Sequence, residues 1–97
     1  MTSREVLELL SRQLPEIRRR FDVRELAIFG SVARDEARPD SDLDILVTFA
    51  SRASFDNYMG LKLYLEQLLG MSVDLATDRG LREEIRPVVE RELIHVP

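Results

Sequence analysis

Residues 43–49, LDILVTF, limit the fold of this 97-residue chain more than any other stretch. The run is nearly continuous in apolar residues and does not alternate with polar ones. A strand wetted on one face alternates, whereas a strand covered on both faces does not. The run is therefore expected to be a central strand with material packed on both sides. Helical segments are available to cover it. Residues 3–21 carry Val6, Leu9, Leu10, Leu14, Ile17 and Phe21 at helical spacing, with Ser3 as the expected cap. Pro15 is expected to kink or split that helix. Residues 54–69 read as a second long helix closed by Gly70. Residues 81–93 read as a last helix, with Pro87 near its proper start. Further strands are expected at Leu26–Phe29, at Ser72–Ala76 and briefly at 94–96. Residues 31–36 are expected to form one or two helical turns with Ser31 as N-cap, before a loop, ARPDSD. The expected architecture is α+β, a short mixed sheet flanked by helices, in one domain over residues 1–97.

Composition narrows the functional classes. Hydrophobic residues make up 44% of the chain and charged residues 33%, which suits a folded globular protein and argues against disorder. There is no cysteine, so disulfides and thiolate metal sites are excluded. No window approaches the roughly 18 apolar residues of a membrane span. The N-terminal MTSREVLELL lacks the pattern of a cleaved signal, so the cytoplasm is the expected location. The net charge of −4 does not suit a dedicated nucleic-acid binder, which needs a basic surface to neutralise phosphates.

Against that background the carboxylates at residues 42–44 stand out. Burying a carboxylate is costly unless a positive charge meets it. Side chains at i and i+2 of a strand share a face, with Cα atoms about 6.6 Å apart. Asp42 and Asp44 are therefore expected to project together and could share a hard divalent cation such as Mg²⁺. Asp74 is a second oddity, one charge between Val73 and Leu75 in a short apolar strand. If that strand lies beside 43–49, three carboxylates could hold two metals roughly 3.5–4 Å apart, the spacing used for in-line phosphoryl chemistry. A calcium loop starting at Asp40 is excluded, since its sixth and twelfth places hold Ile45 and Ser51 rather than Gly and Glu. Turn roles for Asp40 and Asp42 and a plain salt bridge for Asp74 are the structural alternatives.

Upstream, Gly30 ends one expected strand and Ser31 begins the expected short helix. A glycine there allows phosphates to approach the backbone, and free N–H groups with the Ser31 hydroxyl suit an anion. Such a turn alone is common. Its meaning comes from the combination of Gly-Ser, ten intervening residues, Asp-x-Asp at a strand start, and a later strand carrying a third Asp.

In that combination the chain resembles the minimal nucleotidyltransferase (MNT) domain of the DNA polymerase β-like superfamily. The matching residues are IFGSVARDEARPDSDLDILVTF, VDLAT and the tail LREEIRPVVERELIHV, and the resemblance extends over nearly the whole chain. The resemblance implies the nucleotidyltransferase fold, a phosphate clamp at Gly30 and Ser31, and metal ligands at Asp42 and Asp44. It also implies a third carboxylate at Asp74 that completes one metal site and helps activate the attacking hydroxyl. Arg34 follows a frequent GSxAR pattern and is expected to reach phosphate or the loop acids Asp35 and Asp40. The implied cofactor is Mg²⁺, two ions, with ATP as substrate.

Larger relatives carry a second, mostly helical domain. This chain is expected to lack one, so either it works poorly alone or a partner completes its site. Stand-alone MNT proteins pair with helical HEPN-domain RNase toxins, and the family chemistry is transfer of AMP from ATP to a toxin tyrosine. The resemblance thus implies an antitoxin enzyme. A non-catalytic antitoxin that covers its toxin, and a small-molecule nucleotidyltransferase of the aminoglycoside-modifying type, remain as alternatives. Partner surfaces are open between residues 55–64 and the C-terminal helix, with core packing as the plainer account of both. No direct nucleic-acid or membrane contact is expected, and a homo-oligomer is compatible. His95 is expected to be structural, and Arg79, Arg82 and Arg86 are expected to form a solvated face rather than bind triphosphate.

Overall fold

A computed structural model describes all residues, Met1–Pro97. Its elements run α1 (Ser3–Phe21), β1 (Val23–Phe29), α2 (Gly30–Ala33), β2 (Leu43–Phe49), α3 (Phe55–Leu69), β3 (Val73–Thr77), α4 (Arg86–Glu92) and β4 (Ile94–His95). The four strands form one sheet in the order β3-β2-β1-β4. The β1 strand is antiparallel to β2 and β4, whereas β2 and β3 are parallel, which makes the sheet mixed. A parallel pair needs a crossover, and α3 supplies it.

Helix α1 buries Val6, Leu10, Leu14, Ile17 and Phe21. Its cap is Thr2, not Ser3. The Thr2 hydroxyl accepts from the Glu5 amide at 3.2 Å, and the Glu5 carboxylate accepts from the Thr2 amide at 3.0 Å, a reciprocal box. Ser3 is engaged elsewhere, its amide and hydroxyl both donating to the Asp35 carboxylate, at 2.8 and 2.9 Å. Pro15 does not split the helix, which runs unbroken through it. The proline is exposed, so its ring meets solvent instead of the core.

Helix α3 begins at the Ser54 cap, whose hydroxyl accepts from the Asn57 amide at 3.1 Å. It ends at Gly70, in the left-handed region at φ 66°. Leu61, Leu65 and Leu69 of α3 join the inner residues of α1 and the Leu26, Ile28, Leu43, Ile45, Val47, Val73 and Leu75 side chains in one core. Each such burial stabilises the fold by about 1.5–3 kcal/mol.

By strand alternation, Ala27, Asp44, Leu46 and Asp74 project to the opposite face. There α4 packs against β1 and α2. Ala27, Leu46 and Val89 are buried apart from the main core. Strand β2 is therefore covered on both sides at Leu46, as its unbroken apolar run demands. The cover is partial, and Asp74 stays exposed. No helix is long and apolar enough to cross a membrane.

Candidate active site

The site is built where β1 ends and β2 begins. Because these strands are antiparallel, Phe29 pairs with Asp44, and the next residue, Gly30, turns directly over that carboxyl. Gly30 has φ 76°, a conformation that favours glycine. A Cβ there would lie 2.1 Å from Asp44 Oδ2, so no side chain fits. Helix α2 then spans only Gly30–Ala33. Its N-cap is the extended residue Phe29, which makes no side-chain cap bond. Ser31 is thus the second helical residue rather than the cap, because the left-handed Gly30 already starts the turn. It is half-buried beside the aspartates' strand mouth.

Asp44 is the second residue of β2 and half-buried. Its partner in the parallel ladder is Asp74, the second residue of β3. Asp42 lies just outside the strand and is exposed, so strict strand alternation does not fix its direction. Asp44 is pushed up to about 6, first by burial, then by the Asp74 and Asp42 carboxylates, by hydrogen-bond contact with Asp74, and last by Glu92. The structure brings Asp44 and Asp74 together, with Asp42 close enough to act on Asp44. No three of its acidic and histidine side chains are gathered closely enough to grip one ion. The donor set nonetheless fits a hard divalent cation. All its atoms are carboxylate oxygens, and the repulsion that adds to burial in raising Asp44 is what such a cation relieves.

Arg34 caps the end of α2, its amide donating to the Gly30 carbonyl at 3.1 Å. Its guanidinium does not meet Asp35 or Asp40. It pairs instead with Glu36, Nε to Oε1 at 2.6 Å, and with Glu92, Nη1 to Oε1 at 2.7 Å. Asp35 is taken by Ser3. Glu92 also accepts from the Gly30 amide through Oε2 at 3.2 Å. It is the residue that sequence reasoning missed. A signal existed: if 94–96 pairs with the first strand, residue 92 falls beside that strand's end and its Gly-Ser turn.

The remaining expectations are also resolved in space. Arg86 is tied to Asp78 at 3.1 Å and to Glu83 and Glu90. A cleft of about 480 Å³, with Arg24, Arg52 and Arg79 on its lining, lies at the opposite ends of β2 and β3 from the aspartates. In the stretch 55–64, Leu61 is core, Tyr58 donates to the Leu75 carbonyl, and Tyr64 packs on Phe21 with ring centroids 5.4 Å apart. Phe55 and Leu63 remain exposed. His95 sits on β4 opposite Ala27, a place in the ladder.

Comparison with known proteins bears on the family and the fold. Residues 10–96 match the nucleotidyltransferase domain family. The chain is 43% identical over 96 residues to the protein adenylyltransferase MntA of Thermococcus cleftensis, covering 99% of this chain and 97% of that one. A solved structure described as a minimal nucleotidyltransferase superposes with a TM-score of 0.81 at 41% identity, covering 97% of this chain and 95% of that one. The fold alone is shared with a tri-AMPylated Shewanella oneidensis HEPN toxin in complex with MNT antitoxin, at TM-score 0.67 and 19% identity, over 94% of this chain and 71% of that one. The family match spans most of the chain and the named relative nearly all of it, so the chain belongs to the nucleotidyltransferase domain family.

Proposed function

We propose that this chain is a metal-dependent protein adenylyltransferase. It transfers AMP from ATP to a hydroxyl, most simply a tyrosine's, on a HEPN-type RNase toxin, and so acts in the cytoplasm as that toxin's antitoxin. The observation that carries the reading is the pairing of Asp44 with Asp74 beneath the Gly30 turn. Support also comes from 43% identity, over nearly the full length, to a protein named a protein adenylyltransferase.

In this reading Asp42, Asp44 and Asp74 would hold Mg²⁺, two ions, and the bound metal would supply positive charge against the triphosphate and Lewis acidity at the α-phosphate. Gly30 offers close backbone approach, and the Ser31 hydroxyl and Arg34 guanidinium donate to the outer phosphates. Asp74, exposed beside Asp44, takes the proton of the attacking hydroxyl. The oxygen–phosphorus bond forms at the α-phosphorus, the α–β bridging bond breaks, and pyrophosphate leaves toward Ser31. The protein's own contribution is positioning and charge placement more than covalent chemistry.

The test is the intact mass of the co-expressed neighbouring protein after incubation with this chain, ATP and Mg²⁺. The expected result is a gain of one or more AMP units that the Asp42→Asn/Asp44→Asn double variant cannot produce. Tight binding with unchanged mass would instead make the chain a covering antitoxin, and normal transfer by the double variant would remove the aspartates from the chemistry.

A further inference from the structure

We infer that Glu92 is an internal competitor for the phosphate seat, a side chain that an incoming triphosphate must displace. The inference rests on the phosphate-binding role proposed above for Gly30 and Arg34. Glu92 spans those two donors with its two oxygens, Oε2 at 3.2 Å from the Gly30 amide and Oε1 at 2.7 Å from Arg34 Nη1. A phosphate edge would engage a backbone amide and a guanidinium in the same bidentate manner. The seat lies against the aspartates, since a Cβ built on Gly30 would fall 2.1 Å from Asp44 Oδ2.

The backbone around Glu92 is anchored. Glu92 is the last residue of α4, and Ile94 and His95 are paired with Ile28 and Ala27 of β1. Displacement therefore needs only a change of side-chain rotamer. The part-buried Gly30 amide would be costly to leave without an acceptor, so Glu92 leaves when a phosphate oxygen replaces it. Arg34 keeps its Glu36 partner throughout, which holds the guanidinium near the turn during the exchange. A simple staple between α2 and α4 would have the same contacts but a different effect on nucleotide binding, and that difference is measurable.

The experiment is calorimetric titration of a non-hydrolysable ATP analogue with Mg²⁺ into wild type, Glu92→Ala, Glu92→Asp and Glu90→Gln. Glu92→Asp keeps the charge but shortens the reach. Glu90→Gln removes a charge from the same helix at a residue paired with Arg86, away from the turn. Both Glu92 variants are expected to bind about tenfold tighter, as when a seat open one-tenth of the time becomes fully open. Glu90→Gln should stay within about twofold of wild type. Unchanged or weaker binding by both folded Glu92 variants, with wild type binding normally, overturns the inference and leaves the proposed function standing. No binding by any of the proteins overturns both. If the variants fail to fold, the wild type still decides: its Glu92 carboxyl ¹³C resonance should move toward a solvated value as nucleotide saturates, and a fixed resonance with saturated binding overturns the inference.

Discussion

Asp44 and Asp74 stand side by side as register partners on the parallel strands β2 and β3. Neighbouring strands are about 4.8 Å apart, so two ionised carboxylates there repel. Burial and that repulsion raise Asp44 from 3.8 in its ordinary state to about 6. A raised carboxyl favours the fold while protonated, so its stabilising share is lost as pH rises from about 4 through 6. Asp44→Asn removes the titration. Without metal it should be more stable than wild type at pH 7.5 by about 1 kcal/mol, after allowance for solvent screening at this half-buried site. That corresponds to roughly 4–8 °C in melting temperature for a domain of this size. The difference should shrink toward pH 4. A wild type that melts above the variant at pH 7.5 in EDTA would contradict the account.

Cation and nucleotide should reverse that order. If the aspartates hold Mg²⁺ and Gly30 and Arg34 hold phosphate, Mg²⁺ with ATP stabilises only the folded state. At a hundredfold excess over Kd the gain is about 2.7 kcal/mol. Wild type should gain roughly 10 °C or more. The Asp42→Asn/Asp44→Asn variant should gain little, and ATP with EDTA should have little effect on either. Thermal melts in the four conditions check this, and equal shifts for both proteins would remove the metal from these residues.

Several elements were legible because single local causes set them. The β2 strand begins and ends where its apolar run does, and α3 lies between a serine cap and a left-handed glycine. The β1 strand starts at Val23, three residues before its apolar stretch. Arg24 and Glu25 are exposed beside a register shift, so they can be charged and still belong to the strand. The α1 cap is Thr2 and not the expected Ser3: the two residues carry the same hydroxyl chemistry, and only the distant Asp35 claims Ser3. The aspartates and Gly30 were legible as unusual residues in an apolar setting. The partners of Arg34 were not, since Glu92 lies 58 residues away and reaches the turn only through the pairing of β4 with β1.

Gly30 tests how tightly the turn and the aspartate are coupled. Alanine at φ 76° is strained by about 1–2 kcal/mol, and its Cβ would displace the Asp44 carboxyl. Gly30→Ala is expected to lose about 2–4 kcal/mol of stability in urea unfolding, combining strain and overpacking. AMP transfer should be lost even at temperatures where the variant is fully folded, because Asp44 has moved. A variant with wild-type stability and activity would mean that the Gly30 turn and Asp44 are not packed as described.

Pro15 provides an independent check on α1. The helix continues through it although proline cannot donate its amide and its ring crowds the preceding turn, a cost of about 3 kcal/mol in a helix interior. The helix survives because tertiary packing of Val6, Leu10, Leu14 and Ile17 outweighs that local loss. Pro15 itself is exposed, so its replacement removes no core contact. Pro15→Ala should therefore restore a helical hydrogen bond and stabilise the protein. Proline also restricts the unfolded chain, and losing that restriction offsets part of the gain. The net expectation is about 1–2 kcal/mol of added stability and a melting temperature higher by roughly 5–10 °C. Nucleotide binding at the far side of the sheet should be unchanged. A variant that melts lower than wild type would mean that the proline is needed to shape α1, and that the helix is bent there to fit the sheet.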